Sequence, residues 1–209
     1  QPSGGWKYRR PNAFIAVSAA VAEVLATVTQ ERVEVVHSGV ATPAEVAPAA
    51  DAPTVLAVGA RVPHKGHRVL AQAAQLLGDV DIGVVGEGPV VVPGLRWMGW
   101  RDDVAALLRG ARVFVHPSLL EGLGTAAIEA MLAGVPVVVS DAGGLPEVVG
   151  EMGICVARGD AEGLAQGIRD ALAGDHPCTD AAREWATGRF GVERMVNETL
   201  KVYRSVLGR

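Results

Sequence analysis

Several features that mark other classes of protein are scarce in this sequence of 209 residues. It has two cysteines, 4% aromatic residues and no apolar run near the ~18 residues needed to span a bilayer. Cys155 and Cys178 lack the spacing of a metal or redox motif, so we expect reduced thiols in a soluble, cytoplasmic protein. A GxGxxG fingerprint and a GxxxxGK(S/T) phosphate loop are both missing, so we predict neither a dinucleotide fold nor a P-loop.

The charge balance excludes one class of partner. The formal net charge is -4 and the pI about 5.7, so the chain lacks the basic face that a nucleic-acid backbone requires. A phosphate ligand would have to be bound by local groups. The basic and aromatic cluster Trp6–Arg10 leaves membrane-surface contact open, but five residues favour an ordinary exposed segment, and peripheral membrane contact is not supported by this chain.

Ala and Val are abundant, in short β-branched runs that alternate with helical patterns. This alternation predicts an α/β fold, a Rossmann-like parallel sheet with helices on both faces that binds ligands at the carboxyl ends of its strands. The proline-rich stretch Ala41–Pro53 has the composition of a linker. We therefore predict a remnant of one domain plus linker at residues 1–45 and a main domain at residues 46–209.

The predicted elements follow from hydrophobic periodicity. The first part contains strand Ala13–Ser18, helix Ala19–Thr29 and strand Val33–His37. The strands of the main domain are Thr54–Gly59, Asp81–Val85, Leu95–Met98, Val113–His116, Val135–Ser140 and Gly153–Val156. Its helices are Gly66–Leu77, Asp103–Arg109, Thr125–Ala133, Leu145–Val149 and Ala161–Ala173, and the apolar spacing over Asp180–Leu207 predicts closing helices.

The strongest chemical signal is the stretch VFVHPSLLEGLGTAAIEA, in which a buried strand leads through a glycine-rich loop into a helix. Gly122 and Gly124 would let a ligand approach the backbone, and free N–H groups at a helix start suit a phosphate. Carboxylates accept hydrogen bonds from sugar hydroxyls, so Glu129 could hold a ribose diol and Glu121 a transferred sugar. The alternative is that Glu121 caps the helix and Glu129 is a solvated charge.

Other candidates follow neighbouring strand ends. Arg61 and Lys65 in GARVPHKGH could grip a phosphate as a fork and a point charge, or be ordinary surface cations. Gly86 in VVGEGP would allow backbone near a base or ribose, although it is a turn first. His64 and His67 flank Lys65 without further ligands, so we expect no metal.

Two more segments are open to both readings. His116 closes an apolar strand, which favours a satisfied strand-end residue, yet it is near enough to the glycine-rich loop to touch a ligand. The glycines of DAGGLPEVV, residues 141–149, are either turn formers or part of a ligand site.

Together these motifs resemble the retaining glycosyltransferases of family 4, whose GT-B fold has two facing Rossmann-like domains. GARVPHKGH, GEGP, LRWMGWRDDVAALLRGARVFVHPS and EGLGTAAIEAMLAGVPVVVSDAGGLPEVV follow the order of that family over most of residues 54–150. The resemblance implies a C-terminal domain that binds a nucleoside diphosphate sugar. It also implies transfer to an acceptor hydroxyl with retention of the anomeric configuration, without a metal or other cofactor.

The resemblance assigns roles to single residues. Arg61 and Lys65 would bind the phosphates, Glu129 the ribose, and Glu121, as the catalytic residue, the donor sugar. The amides of Gly122, Leu123, Gly124 and Thr125 would face the diphosphate and the sugar, and backbone at Gly86, Met98 and Gly99 would frame the base.

The sequence departs from that family in its first domain, which binds the acceptor and of which residues 1–40 resemble only the end. We therefore expect a donor-binding half whose partners are a nucleotide-sugar donor, an unknown acceptor and a separate or missing N-terminal domain. The helix over Met195–Leu207 would then lack its packing partner. A non-catalytic nucleotide-sugar-binding or regulatory module is the alternative. An epimerase or phosphorylase of the same fold is disfavoured by the E-x7-E loop and by the lack of a pyridoxal-type lysine context.

Overall fold

The computed structural model describes residues 11–43 and 45–208, and the cluster Trp6–Arg10 lies outside them. The described strands are β1 (Ala13–Ala16), β2 (Arg32–Val35), β3 (Val55–Val58), β4 (Ile82–Val85), β5 (Arg96–Gly99), β6 (Val113–His116), β7 (Val137–Ser140) and β8 (Ile154–Val156). The helices are α1 (Ala19–Ala26), α2 (His67–Leu77), α3 (Val104–Gly110), α4 (Thr125–Leu132), α5 (Leu145–Val149), α6 (Ala161–Ala173), α7 (Thr179–Phe190) and α8 (Val192–Leu207).

Six parallel strands form the main sheet in the order β5-β4-β3-β6-β7-β8. Successive side chains of a strand point to opposite faces, so each strand supplies two cores. Leu56 and Phe114 lie in one core, with residues of α3, α4, α5 and α7. Val55 and Val115 lie in the other, with residues of α2 and α6. Helices therefore cover both faces, and the predicted α/β fold with a Rossmann-like sheet is confirmed.

A second, two-stranded sheet pairs β1 with β2 in parallel, and α1 connects them. Helix α8 returns from the far end of the chain to contact β1. Between the sheets, the described part of the proline-rich stretch 41–53 contains no helix or strand, but it is bonded to the loop after β5 and to α3. Arg101 binds Asp51 with N–O distances of 2.7 and 3.2 Å, and the Ala49 N–H donates to the Ala106 carbonyl. The proposed domain boundary there stays a prediction.

The predicted bounds are wrong by two or three residues at several ends. Strand β1 stops at Ala16 because Ser18 is the N-cap of α1, its Oγ accepting from the Val21 N–H at 3.1 Å. Helix α1 ends at Ala26, not Thr29, and β2 is Arg32–Val35, not Val33–His37. Strand β7 begins at Val137, after Pro136, which has no N–H for the sheet. A 3₁₀ turn at Pro63–Lys65 was not predicted.

Cys155 and Cys178 are both free and exposed. Over the described residues, no helix combines the length and the apolarity that a membrane crossing requires. The cytoplasmic location stays a prediction.

Candidate functional site

A pocket of about 250 Å³ opens at the carboxyl ends of β3 and β6, the two central strands of the main sheet. The connections run outward from β3 on one side and from β6 on the other, so their loops diverge and leave a crevice between them. The pocket is lined by residues of β3 and β6, of the loops after them and of α4: Val58, Gly59, Ala60, Lys65, His116, Glu121, Gly124, Thr125, Ala126 and Glu129.

Glu121 is the most heavily bonded side chain of the pocket. Its Oε2 lies 2.5 Å from Lys65 Nζ, 2.9 Å from His116 Nε2 and 3.3 Å from Ser118 Oγ. Its Oε1 accepts from the Gly122 N–H at 3.1 Å. The N-cap of α4 is Gly124, without a side-chain cap, so Glu121 does not cap this helix.

These bonds fix the charge of Glu121. Burial by itself raises the pKa of the carboxyl, but hydrogen bonds from His116 and Lys65 outweigh burial and lower the pKa from 4.5 to about 2. Glu121 is therefore a carboxylate at neutral pH. An ammonium has three donors, so the bond to Glu121 leaves Lys65 two more N–H groups for an anion.

Glu129 lines the same pocket from the second turn of α4 but has a different environment. No described side chain donates a hydrogen bond to its carboxyl oxygens, and burial raises the pKa of Glu129 above 4.5. The carboxyl is half-buried, so it is not the fully solvated charge of the alternative interpretation. Its acceptor sites are open to a ligand with hydroxyl groups.

The loop between these two glutamates brings backbone donors to the pocket. Gly124 adopts a φ of 99°, in the left-handed region, and begins α4. Within the described residues, no group accepts a hydrogen bond from the N–H of Leu123, Gly124 or Thr125. The unpaired N–H groups and the positive end of the helix dipole suit an anionic ligand.

Arg61, the predicted phosphate partner of Lys65, does not line the pocket. Its guanidinium lies over the ring of Trp97, with Cζ 5.5 Å from the ring centroid. Its Nε is buried without a hydrogen-bond partner among the described residues. Trp97 in turn donates its Nε1–H to the Val92 carbonyl at 3.0 Å. No local sequence pattern indicates this stacking, because Trp97 is on β5 whereas Arg61 is in the loop after β3.

The predicted base-binding residues lie together at the adjoining end of the sheet, outside the pocket lining. The Gly86 N–H donates to the Gly99 carbonyl at 2.8 Å, and Met98 precedes Gly99 on β5. A Cβ added to Gly86 would collide with the carbonyl oxygen of Gly59, which lines the pocket. These contacts place the Gly86 loop next to the pocket.

The glycines after β7 have a packing role. A Cβ added to Gly143 would collide with the carbonyl oxygen of Glu121, and one on Gly144 would lie 2.6 Å from that of Gly122. The two loops therefore stack backbone to backbone, and only glycine permits this approach. Both the turn-former and the ligand interpretations of DAGG missed this contact.

His116 and His67 differ in their surroundings. His116 lines the pocket and pairs its Nε2 with Glu121, but its buried Nδ1 has no hydrogen-bond partner among the described residues, so it is only half satisfied. His67 is buried, and its Nε2 lies 3.0 Å from the Ala60 carbonyl oxygen. The residues described contain no group of three or more His, Cys, Asp or Glu placed to hold a metal ion.

Comparison with known proteins identifies the family. Residues 52–174, more than half of the chain, match the family model described as glycosyl transferases group 1. The chain belongs to this family of glycosyltransferases. The match covers β3 to α6 and hence every residue of the pocket.

Relatives and solved structures agree with this assignment. The chain is 31% identical to 2-deoxystreptamine glucosyltransferase of Streptomyces kanamyceticus, covering 98% of this chain and 63% of the relative. It is 32% identical to O-antigen chain mannosyltransferase B of Escherichia coli, covering 71% and 45%. The chain thus spans less than two thirds of these relatives.

Solved structures show the same fold at low identity. A glycosyltransferase of Rickettsia africae superposes with a TM-score of 0.81 at 21% identity, covering 99% of this chain and 68% of that one. Anabaena HepE in complex with UDP-glucose superposes with a TM-score of 0.79 at 22% identity, covering 94% and 65%. The shared fold is the α/β arrangement described above.

Proposed function

We propose that this chain is the donor-binding half of a retaining family 4 glycosyltransferase. It would bind a nucleoside diphosphate sugar and transfer a hexose-type group to an acceptor hydroxyl. The observation that carries the proposal is the meeting of Glu121, Glu129, Lys65 and free loop amides in one pocket at the central crevice of the sheet.

The diphosphate would lie at the start of α4. The N–H groups of Gly122, Leu123, Gly124 and Thr125 belong to this loop, and those of the last three have no described acceptor. Lys65 adds the charge of an ammonium with two further N–H groups. Fixed donors of this kind stabilise the negative charge that builds up on a leaving diphosphate, and we expect transfer to need no metal ion or other cofactor.

Arg61 would be a second phosphate ligand after a change of rotamer. In this structure its cation stacks on Trp97, and no ion pair with a described carboxylate holds it there. A cation–π contact contributes about 0.5–2 kcal/mol, which a bidentate bond to a phosphate can replace. Release from Trp97 would therefore accompany donor binding.

The two glutamates would divide the sugars of the donor between them. A ribose diol would supply Glu129 with the hydrogen bonds that it lacks in this structure. Glu121 would face the transferred sugar as the catalytic residue, held as a carboxylate by Lys65 and His116. The base would lie against the backbone of Gly86, Met98 and Gly99.

Related proteins support this choice of donor. Anabaena HepE has been solved with UDP and with UDP-glucose, and the named relatives include glucosyl- and mannosyltransferases. By analogy with these proteins, we expect this chain to bind a nucleotide-sugar donor.

A further, N-terminal domain would complete the cleft and bind the acceptor. The two-stranded sheet is the part of this chain where that domain would join. Several apolar side chains of this region, Ile15, Val35, Leu200, Tyr203 and Val206, are exposed by 37–57%. We therefore propose that the remainder of the GT-B fold packs on β1, β2 and α8.

The test is a titration of the 209-residue chain with UDP-, GDP- and ADP-sugars by calorimetry, with and without EDTA. Turnover is then assayed with and without a candidate N-terminal domain, and NMR of the product gives its anomeric configuration. Binding that resists EDTA, with turnover and retention once the N-terminal domain is added, is expected. Inversion would contradict the retaining assignment. Binding without turnover in every pairing would instead favour a non-catalytic regulatory module.

A further inference from the structure

The loop from Glu121 to Gly124, called the donor loop from here on, is anchored to the first part of the chain as well as to its own sheet. Ser18, 104 positions earlier in sequence, donates its Oγ–H to the Gly122 carbonyl at 2.7 Å. Ser18 is fully buried, and the same Oγ accepts from the Val21 N–H. Val17 packs beside Gly122. The start of α1 thus packs directly on the donor loop.

Glu147 holds the start of α1 in that position. Its Oε2 accepts from the Ala19 N–H at 2.9 Å and its Oε1 from the Ala20 N–H at 3.2 Å. Glu147 is in the first turn of α5, so its carboxylate satisfies the first amides of a second helix while it complements the dipole of its own. His37 Nε2, 3.2 Å from Oε2, adds a third contact from the two-stranded region.

The environment of Glu147 favours the charged form that this arrangement needs. Burial raises the pKa of Glu147, but the hydrogen bonds from the Ala19 and Ala20 amides and from His37 lower it by more. The pKa of Glu147 is therefore below its usual 4.5. His37 is itself buried and packs edge-on against Phe190 at 5.3 Å. The carboxylate is therefore held from two sides.

The bond from Ser18 also sets the direction of one amide of the loop. Every described peptide bond is trans. In a trans peptide the carbonyl and the following N–H point in opposite directions. With the Gly122 carbonyl fixed toward α1, the Leu123 N–H must point away from α1. A loss of this bond would remove one of the two restraints on the Gly122–Leu123 peptide, the other being the close backbone contact with Gly144.

We propose that Ser18 and Glu147 are positioning residues of the donor loop, which clamp α1 on Gly122 and so preset the amide directions that the diphosphate needs. This inference rests on the proposed function. It also makes the start of α1, in the first part of the chain, a determinant of donor affinity.

The test uses the 209-residue chain with Ser18→Ala, Glu147→Ala and the conservative Glu147→Gln, which keeps one acceptor for the amides. Asp160→Ala is the matched control, because Asp160 caps α6 through the Gly163 N–H at 2.8 Å and lies outside the pocket. Backbone order parameters of Gly122, Leu123 and Gly124 report on the loop without any ligand. Calorimetric titration with UDP measures the affinity of the pocket for a nucleoside diphosphate.

Ser18→Ala and Glu147→Ala are expected to lower the order parameters of the loop from about 0.85 to below about 0.6. They should also weaken UDP binding about tenfold, the effect of one lost hydrogen bond. Glu147→Gln should lie between these variants and the wild type. Asp160→Ala should lower Tm to a similar extent while UDP affinity and loop order stay unchanged, which separates positioning from general stability.

Unchanged order parameters in both alanine variants would overturn the clamp, whatever UDP does. A mobile loop with unchanged UDP affinity would overturn its role in donor binding. If the wild-type chain binds no nucleoside diphosphate, the proposed function fails, whereas the order parameters still decide whether Ser18 and Glu147 hold the loop.

Discussion

The two sheets of this chain are built from similar strands but have very different surroundings. In the six-stranded sheet, all four residues of β4, β6 and β7 are buried, and helices cover both faces. In the two-stranded sheet, Ala16 is the one buried strand residue, and α1 has no buried residue. The six-stranded sheet has a hydrophobic core on each face, whereas the two-stranded sheet and α1 bury little apolar surface of their own.

The poorly packed region nevertheless contacts a loop of the pocket. The pocket residues all belong to the six-stranded region. Yet the loop between Glu121 and Gly124 touches the other region through Ser18. A region that adds little buried apolar surface can therefore still affect a binding site, because a single buried hydroxyl group fixes a peptide.

The largest expected effect comes from truncating one large apolar side chain in each sheet. Phe114→Ala in β6 should lower the free energy of unfolding by about 3–5 kcal/mol, since Phe114 is fully buried and leaves a cavity. Ile15→Ala in β1, where the side chain is 37% exposed, should cost less than half as much. Urea denaturation measures both, and equal losses would show that the two-stranded sheet is as well packed as the main one.

The second effect concerns ligand affinity and tests a pocket residue of the six-stranded region. Glu129→Ala should weaken nucleotide binding by about 1–3 kcal/mol, because the ribose diol loses a half-buried carboxylate partner. Glu23→Ala, an exposed glutamate of α1, is the control and should leave the affinity unchanged. Calorimetry with the preferred nucleoside diphosphate measures this, and unchanged affinity for Glu129→Ala would refute the ribose assignment.

The third effect is a pH dependence within the pocket. The folded chain lowers the pKa of Glu121 from 4.5 to about 2, because hydrogen bonds from His116 and Lys65 outweigh burial. Glu121 therefore stabilises the fold above pH 4.5, and this contribution disappears as the pH falls from about 4.5 toward 2. Glu121→Gln should be less stable than the wild type at pH 7, and the gap should narrow at pH 3. Urea unfolding at both pH values gives the gap, and a constant one would contradict the assigned charge.

The smallest effect should come from the exposed apolar face. Leu200→Ser on α8, where Leu200 is 40% exposed, should change the stability of this chain by no more than about 0.5 kcal/mol. The same substitution should weaken association with an added N-terminal domain, since that domain would bury Leu200. Thermal unfolding and sedimentation measure the two effects, and a large loss of Tm would show that α8 is already fully packed.

Sequence periodicity predicted the order of strands and helices because buried parallel strands such as VFVH and amphipathic helices carry strong local signals. The Glu121 loop was also visible, because its glycines and carboxylates are close in sequence. Contacts between distant residues were not. Trp97 under Arg61, Ser18 on Gly122 and Glu147 on α1 each join separate elements, and no local pattern encodes such a pair.

The glycine contacts at the strand ends have a consequence for engineering the pocket toward new ligands. Gly143 lies against the Glu121 carbonyl and Gly86 against that of Gly59, so each loop takes its shape from its neighbour. If the backbone of one loop alone were varied, most variants would clash with the neighbouring loop and lose the shape of the pocket. Useful variants should come from exchanging side chains on a fixed backbone, or from transplanting neighbouring loops together as a set.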